Sequence, residues 1–175
     1  EKGITVSCDL NYRGKLWSRE RAGEVMGRLV PYVDVLIANE EDAKAVFGIE
    51  AADTDIMGGK LNHEGYVSVA RQLTERFGCK AVAITLRGSI SASENNWAGM
   101  LYTGGQPFFS RNYLIRLVDR VGGGDSFGGG LIHALCKGMD EQSTIEFAVA
   151  ASCLKQTIEH DFNLVSEKEV LALMG

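Results

Sequence analysis

The sequence predicts an α/β fold in which a mainly parallel sheet is flanked by helices. Up to residue 86, three short apolar runs rich in β-branched residues alternate with three amphipathic segments. Strands separated by helices pair in parallel, because each helix carries the chain back to the edge where the previous strand began. Three further helical segments follow one another towards residue 175.

The first two strands are each followed by a helix. Residues 4–10 (ITVSCDL) predict a buried strand, and residues 34–39 (DVLIAN) predict a second one. Between them, Ser18 is expected to cap a helix whose end lies near Pro31. The short helix EEDAKAVFG follows the second strand, and we expect it to end at Gly48.

The third strand is followed by a region of a different kind. Residues 51–62 are polar and predict a loop, and residues 64–78 predict a helix closed by glycine. Residues 80–86 (KAVAITL) predict a third buried strand. Residues 91–113 show no helical period, which favours short antiparallel strands joined by turns.

Helical character returns after the glycine-rich stretch near residue 122. Three helices are predicted, at residues 125–138, 140–158 and 166–175, and Ser166 is the expected cap of the last. Glycine inside a helix is unfavourable, so the trio Gly128–Gly130 suggests close packing of the first of these helices against the sheet or a nucleotide. The chain has 175 residues and no internal linker, which suits one domain.

Composition excludes several classes of protein. The chain is 45% hydrophobic and 23% charged, which argues against disorder, and its net charge of −5 with no basic run argues against nucleic-acid or membrane partners. No apolar stretch approaches the roughly 20 residues of a membrane span, and no signal peptide is recognisable. The cysteines form no CxxC pair, so we expect buried free thiols in a reducing cytoplasm rather than disulfides or zinc ligands; they are Cys8, Cys79, Cys136 and Cys153.

The stretch VDRVGGGDSFGGGLIHAL contains the strongest chemical signal. Gly122, Gly123 and Gly124 lead into a helix predicted to start near Asp125. Helix amino termini hold unpaired N–H groups and partial positive charge, and glycine lets an anion approach them. A carboxylate there is useful if it accepts a proton from a hydroxyl that attacks a phosphoryl group. The alternative is a helix-capping aspartate after a flexible loop.

The same stretch fits other phosphate-binding motifs poorly. No Lys-Ser/Thr pair follows the glycines, as a P-loop requires, and no acidic residue follows at the distance a dinucleotide site requires. The missing acidic residue counts against a dinucleotide-binding domain of an oxidoreductase.

The segment DRVGGGDSFGGGL resembles the second signature of the ribokinase-like (PfkB) sugar kinases, D-T-x-G-A-G-D-x-F. The resemblance implies that Asp125 is the catalytic base and that Gly122–Gly124 form the anion hole for ATP. It also implies that Asp119 helps to bind a monovalent cation such as K⁺, as in some members. Arg120 stands where the family usually has threonine.

A second segment, DLNYRGKLW, resembles D-x-N-x-R-x-x-L-W in the 2-keto-3-deoxygluconate kinases of that family. The resemblance places Asn11 near the nucleotide phosphates and Arg13 at a phosphate or at the sugar-acid carboxylate. The guanidinium fork offers two parallel donors, which suits a carboxylate. A solvated loop cation is the alternative for Arg13.

Three weaker resemblances follow along the chain. ANEEDAKAVFG corresponds to the family's N-x-x-E segment, which implies that Asn39 lies near ATP and Asp42 near Mg²⁺, through water; an N-capped first helical turn is the equal alternative. AITLRGSIS implies that Thr85 and Gly88 lie in a loop near the nucleotide. CLKQTIEHDFNLVS implies that Asp161 contacts the substrate, and His160 replaces a usual glycine.

Together these resemblances imply the carboxyl-terminal part of a ribokinase-like kinase domain with a three-layer α/β/α fold, residues 1–175. The amino-terminal half with its lid, and an oligomer formed through that lid, are expected outside this excised or truncated chain, which alone is expected to be inactive. We expect a cytoplasmic enzyme that uses ATP and Mg²⁺ to phosphorylate a sugar or keto-sugar acid, foremost 2-keto-3-deoxygluconate. An inactive nucleotide-binding fragment, a fructokinase or ribokinase type of kinase and a purely structural role are the alternatives.

Overall fold

A computed structural model describes residues 2–50 and 63–175, so the predicted loop at 51–62 lies outside the described residues. The chain divides into two compact units. Unit 1 is Glu1–Ile84 with Tyr102–Pro107, and unit 2 is Thr85–Leu101 with Phe108–Gly175.

Strands and helices alternate in unit 1, and helices follow one another at the end of unit 2. The strands of the described residues are β1 (Ser7–Asp9), β2 (Val35–Ala38), β3 (Ala81–Ser89), β4 (Glu94–Thr103), β5 (Gln106–Phe109) and β6 (Tyr113–Arg116). The helices are α1 (Arg19–Leu29), α2 (Glu40–Phe47), α3 (His63–Phe77), α4 (Gly123–Lys137), α5 (Glu141–Lys155) and α6 (Glu167–Met174). The strand order is β1-β2-β3-β4-β5, and β6 pairs with β4.

The strands of unit 1 pair in parallel, as the alternation of strands and helices predicts. Ser7 of β1 lies opposite Val35 of β2, and Val35 lies opposite Ala81 of β3. All four residues of β2 are buried, which explains its uninterrupted apolar sequence. The predicted mixed α/β fold with a mainly parallel sheet is therefore confirmed.

The prediction of a long buried first strand is wrong. Of residues 4–10 only Ser7–Asp9 form β1, and Ser7 and Asp9 are exposed. Ile4 is 71% exposed and Leu10 is 5% exposed, so burial begins only where the run ends. The reason is tertiary: β1 stands at the end of the strand order, and β2 is its partner among the described strands.

The predicted helix starts and ends are confirmed where capping residues mark them. The Ser18 side chain accepts the Arg21 N–H, and Ser166 with Glu169 forms a capping box. Gly48 closes α2 with a left-handed φ of 66°. Helix α1 gives way at Leu29 to a 3₁₀ turn, Val30–Tyr32, which contains the proline expected near its end.

Unit 2 combines an antiparallel strand pair with three helices. Strands β4 and β6 run antiparallel, as predicted for this region. Helix α4 packs closely on α5: a Cβ added at Gly130 would lie 3.1 Å from both the Ala148 Cα and the Ala151 Cβ. Gly128 and Gly130 are the buried glycines of the trio, and contact with α5, rather than with the sheet or a nucleotide, explains Gly130. The core shared with α6 comprises Ala134, Phe147, Ala150, Ala151 and Val170.

The four cysteines are free thiols, as expected, but they are not all buried. Cys79 and Cys153 are buried, Cys8 is half-buried and Cys136 is exposed. Burial raises the pKa of the Cys153 thiol to about 11. Cys136 is an exposed residue of α4, which the apolar sequence around it did not indicate. Within residues 2–50 and 63–175, no helix is long and apolar enough to cross a membrane.

Candidate active site

The glycine-rich stretch forms the amino terminus of α4. The helix begins at Gly123, two residues before the predicted start, because Gly122 is the N-cap with a left-handed φ of 77°. Asp125 therefore lies in the first turn, and its side chain is exposed. The glycines and the aspartate occupy one helix mouth, as the sequence predicts.

The backbone amides at this mouth are unequal. The Gly123 N–H donates to the Arg120 carbonyl at 3.2 Å, and the Ser126 N–H donates to the Gly122 carbonyl at 2.9 Å. The amides of Gly124 and Asp125 lie between these two, ahead of the first helical hydrogen bond, and Gly122 makes no side-chain cap. A Cβ added at Gly124 would meet nothing within 4 Å. Two N–H groups thus precede the first helical hydrogen bond, and the space beside Gly124 is open, which suits an anion.

The first glycine of the loop also contacts the substrate-binding candidate from the end of the chain. A Cβ at Gly122 would run into the backbone carbonyl of Asp161. Any side chain at this position would therefore be disfavoured by this contact and by the positive φ. Asp161 is exposed, and the structure brings it beside the glycine loop across 39 residues of sequence.

Asp119 ties the same two loops together. Its Oδ1 accepts the Val121 N–H at 2.9 Å, and its Oδ2 accepts the His160 N–H at 3.2 Å. The Val121 N–H, the charge of Lys155 and the His160 N–H hold the pKa of Asp119 below its usual range. His160 has a φ of 66°, so the histidine keeps the left-handed backbone that a glycine would adopt there.

Residues at the end of α5 contact the glycine loop, and the sequence analysis did not identify them. The Ser152 hydroxyl donates to the Gly123 carbonyl at 2.7 Å. The Gln156 Cγ would lie 3.2 Å from a Cβ added at Gly123. The Lys155 ammonium donates to the carbonyls of Asp119 and Ile158. The available signal was polar residues at the end of an otherwise apolar helix, AVAASCLKQ.

A second group of candidates gathers in unit 1, after β1 and β2. The Asn39 side chain accepts the Asp42 N–H at 2.7 Å, so the capping interpretation of this pair is confirmed. The Asn39 Nδ2 also donates to the Asp42 Oδ2 at 2.8 Å. Asp42 is 6% exposed. Burial, then the negative charge of Asp9, raises the pKa of Asp42 to about 6.

The neighbours of Asp42 come from the end of β1 and the segment that follows it. Asp9 is exposed and accepts the Asn11 N–H at 3.0 Å, and Asn11 adopts a φ of 39°. The Arg13 guanidinium is exposed, donates to the Tyr12 carbonyl at 3.0 Å and counteracts the rise in the pKa of Asp42. The structure thus brings Asn11, Arg13, Asn39 and Asp42 into one neighbourhood, together with Asp9, which we had not predicted.

The donor set of this neighbourhood fits Mg²⁺ held partly through water. Two carboxylates of the same sign lie close together, and a divalent cation would offset the cost of ionising the buried one. Among the described residues, no cluster of three or more His, Cys, Asp or Glu side chains forms a complete metal site. Water and phosphate oxygens would therefore have to supply most ligands, as Mg²⁺ commonly requires.

The prediction for Thr85 and Gly88 is wrong in its local structure. Both residues lie within β3, which extends to Ser89, whereas the predicted strand ended at residue 86. Gly88 sits against the Asn96 side chain of β4, 3.3 Å from the position of an added Cβ. Pairing with the neighbouring strand prolongs β3 beyond its apolar run, which local sequence does not show.

Comparison with known proteins agrees with the glycine signature. The family described as pfkB family carbohydrate kinase matches residues 2–159. A 2-dehydro-3-deoxygalactonokinase from Haloferax volcanii is 32% identical over 97% of this chain and 47% of its own length. This chain spans about half the length of the relatives that it matches.

Solved structures show the same fold. The 2-dehydro-3-deoxygluconokinase from Thermotoga maritima is 51% identical with a TM-score of 0.90, covering 99% of this chain and 50% of that one. A fructokinase from Vibrio cholerae, solved with fructose, ADP and calcium, is 21% identical with a TM-score of 0.72; it covers 98% of this chain and 51% of its own. The second likeness extends to the fold alone.

Proposed function

Since this chain belongs to the pfkB family of carbohydrate kinases, we propose that the whole protein uses ATP and Mg²⁺ to phosphorylate a hydroxyl group of a keto-sugar acid. The proposed substrate is 2-keto-3-deoxygluconate, and the proposed location is the cytoplasm. The chain spans half of its relatives, so the activity is assigned to the whole protein.

The observation that supports this proposal is the mouth of α4. An exposed carboxylate, Asp125, stands in the same helical turn as two amides that have no helical partner, those of Gly124 and Asp125 itself. A carboxylate repels a bound phosphate, so a site built only to hold an anion gains nothing from it. A site that must hold a phosphoryl group and remove a proton beside it needs both groups.

In the proposed reaction, ATP supplies the phosphoryl group and Mg²⁺ neutralises part of the phosphate charge. The Asp125 carboxylate accepts the proton of the substrate hydroxyl as the hydroxyl oxygen bonds to the γ-phosphorus, the bond from that phosphorus to the bridging oxygen breaks, and ADP leaves. The amides of Gly124 and Asp125 donate to the phosphoryl oxygens, aided by the helix dipole. Asp42 and Asn39 would hold magnesium-bound water, and catalysis would consist mainly of positioning and charge stabilisation.

The choice of a sugar acid has two supports. The relatives with 51% and 32% identity are named for the 2-keto-3-deoxy acids of gluconate and galactonate, which differ in one hydroxyl configuration. The exposed Arg13 guanidinium also retains donors for a carboxylate after its single bond to the Tyr12 carbonyl. With a neutral sugar, the remaining N–H groups of Arg13 would donate to water instead of to a carboxylate.

The test is an Asp125→Asn substitution in the whole protein. We expect kcat for 2-keto-3-deoxygluconate to fall by about 10³, because general-base catalysis typically contributes 10²–10⁴. Calorimetry should show that ATP with Mg²⁺ still binds, because the amides remain. Glu141→Gln is the matched control: it removes one exposed carboxylate from the first turn of α5, and its kcat should stay unchanged.

The outcomes separate the parts of the proposal. Undiminished kcat in Asp125→Asn would reject the base. A higher kcat/KM for fructose or ribose than for the keto acid would reject the substrate. If the wild-type protein bound ATP but transferred phosphate to none of these sugars, the kinase proposal would be rejected in favour of a nucleotide-binding module.

A further inference from the structure

Lys155, the last residue of α5, is a buried cation that the reaction described above does not use. Its side chain is 0% exposed, in a helix whose neighbouring residues are mostly apolar. Lysine is almost never buried so completely unless partners compensate for the lost water. The compensation consists of two backbone carbonyls and a nearby carboxylate.

The two carbonyls belong to the two loops that meet at Gly122. The Lys155 Nζ donates to the Asp119 carbonyl at 3.3 Å and to the Ile158 carbonyl at 3.5 Å. The Asp119 carboxylate bridges the same loops, because it accepts N–H groups from Val121 and His160. The ammonium therefore holds one positive charge where carbonyl oxygens from both loops converge beside a carboxylate.

Carbonyl oxygens and one carboxylate are also the ligands that a monovalent metal ion would need. The family resemblance implies such an ion beside Asp119, but the residues present do not fit it. The Lys155 ammonium already occupies the Asp119 carbonyl, and a second cation there would meet its positive charge. The Lys155 ammonium therefore supplies the positive charge that balances the Asp119 carboxylate.

We propose that Lys155 is the built-in cation of the glycine loop and makes the kinase independent of K⁺. This inference rests on the proposed function. Lys155 is a positioning residue: it acts through Asp119 and Ile158 on the loops that set the place of Gly122 and Asp161. The α4 amides then keep their positions without a bound metal ion.

The first test compares rates in K⁺ with rates in tetramethylammonium, a cation too large for the site. We expect the wild-type kcat to be the same in both salts. Lys155→Met should lose roughly 10–100-fold in kcat in tetramethylammonium, the usual effect of removing a supporting partner, and should regain most of it with K⁺ or NH₄⁺. Lys137→Met is the control, since it removes an exposed lysine from α4, and both salts should leave its rate unchanged.

The second test does not depend on kinase activity. Thermal unfolding of the same proteins should show that K⁺, against tetramethylammonium, raises the Tm of Lys155→Met but not that of the wild type or Lys137→Met. This measurement distinguishes failure of the cation assignment from failure of the proposed function. If Lys155→Met does not fold, Lys155→Gln retains hydrogen bonding without the charge and takes its place.

Three results would overturn the inference. One is activation or thermal stabilisation of both the wild-type protein and Lys137→Met by K⁺ relative to tetramethylammonium, which would show a separate ion site. Another is full activity of folded Lys155→Met in tetramethylammonium. The third is a loss in the variant that neither K⁺ nor NH₄⁺ restores, which would make Lys155 a packing residue. If both substitutions prevent folding, the comparison of the wild-type protein in K⁺ and in tetramethylammonium still tests the inference, because activation or stabilisation by K⁺ would reject it.

Discussion

Substituting Gly122 by alanine should destabilise the protein by an amount that the structure allows us to work out. The position has a φ of 77°, in the left-handed region. An added Cβ would lie 3.0 Å from the Asp161 carbonyl carbon and 3.2 Å from its Cα, and closer still to the carbonyl oxygen. Both neighbours are backbone, so no side-chain rotation relieves the contact.

Two costs then add. A non-glycine residue in the left-handed region costs about 1–2 kcal/mol, and overpacking that forces a backbone shift costs about 1–3 kcal/mol. Their sum is about 2–5 kcal/mol, which for a chain of this size lowers Tm by roughly 4–20 °C. Gly124→Ala is the matched control, because its φ is not positive and its Cβ would meet nothing within 4 Å.

Thermal unfolding followed by circular dichroism measures both variants against the wild type. We expect a large fall in Tm for Gly122→Ala and a small rise or no change for Gly124→Ala, since alanine favours helices. Equal Tm values for Gly122→Ala and the wild type would refute the reasoning. They would mean that the Asp161 carbonyl does not lie against the glycine loop.

Two further predictions concern stability. Gly130→Ala should lower the free energy of unfolding by about 1 kcal/mol, because crowding against the Ala148 backbone outweighs helix propensity. Gly129→Ala lies in open space and should raise the free energy of unfolding by up to about 1 kcal/mol. Urea unfolding that shows the same change in both variants would contradict this prediction. The pKa of Asp42 is raised to about 6 from 3.8, so ionising it destabilises the fold as pH rises from about 4 through about 6. At about two pKa units and 1.36 kcal/mol per unit, the loss at pH 7 is about 3 kcal/mol. Asp42→Asn should not show this loss in metal-free urea unfolding between pH 4.5 and 7.5, and an unchanged pH dependence would count against the buried carboxylate.

Much of the fold was predictable because its signals are local. Ser18, Asn39 and Ser166 cap helices through bonds to residues three positions away, so the sequence itself contains both partners. The parallel sheet of unit 1 follows from apolar runs that alternate with helices. The chain's place among the ribokinase-like kinases followed from one glycine signature, which the match over residues 2–159 confirms.

The extent of the strands was less predictable, because strand partners come from elsewhere in the chain. β1 has the composition of a buried strand, yet its position at the end of the strand order leaves Ser7 and Asp9 exposed. β3 continues past its apolar run to Ser89, beside β4. The local sequence pattern indicates whether a residue favours a strand, whereas pairing with a neighbouring strand determines whether it forms one and is buried.

The sequence alone determined which groups stand at the mouth of α4: the glycines and Asp125, for which we propose the roles of anion site and proton acceptor. Only the tertiary structure decided which amides remain available, why Gly122 allows no side chain, and which cation balances Asp119. Those answers depend on Asp161 and Lys155, which lie over 30 residues away and meet the glycine loop only after α5 has folded onto α4. Local patterns encode bonds within a turn, whereas burial and close contact arise where distant segments pack.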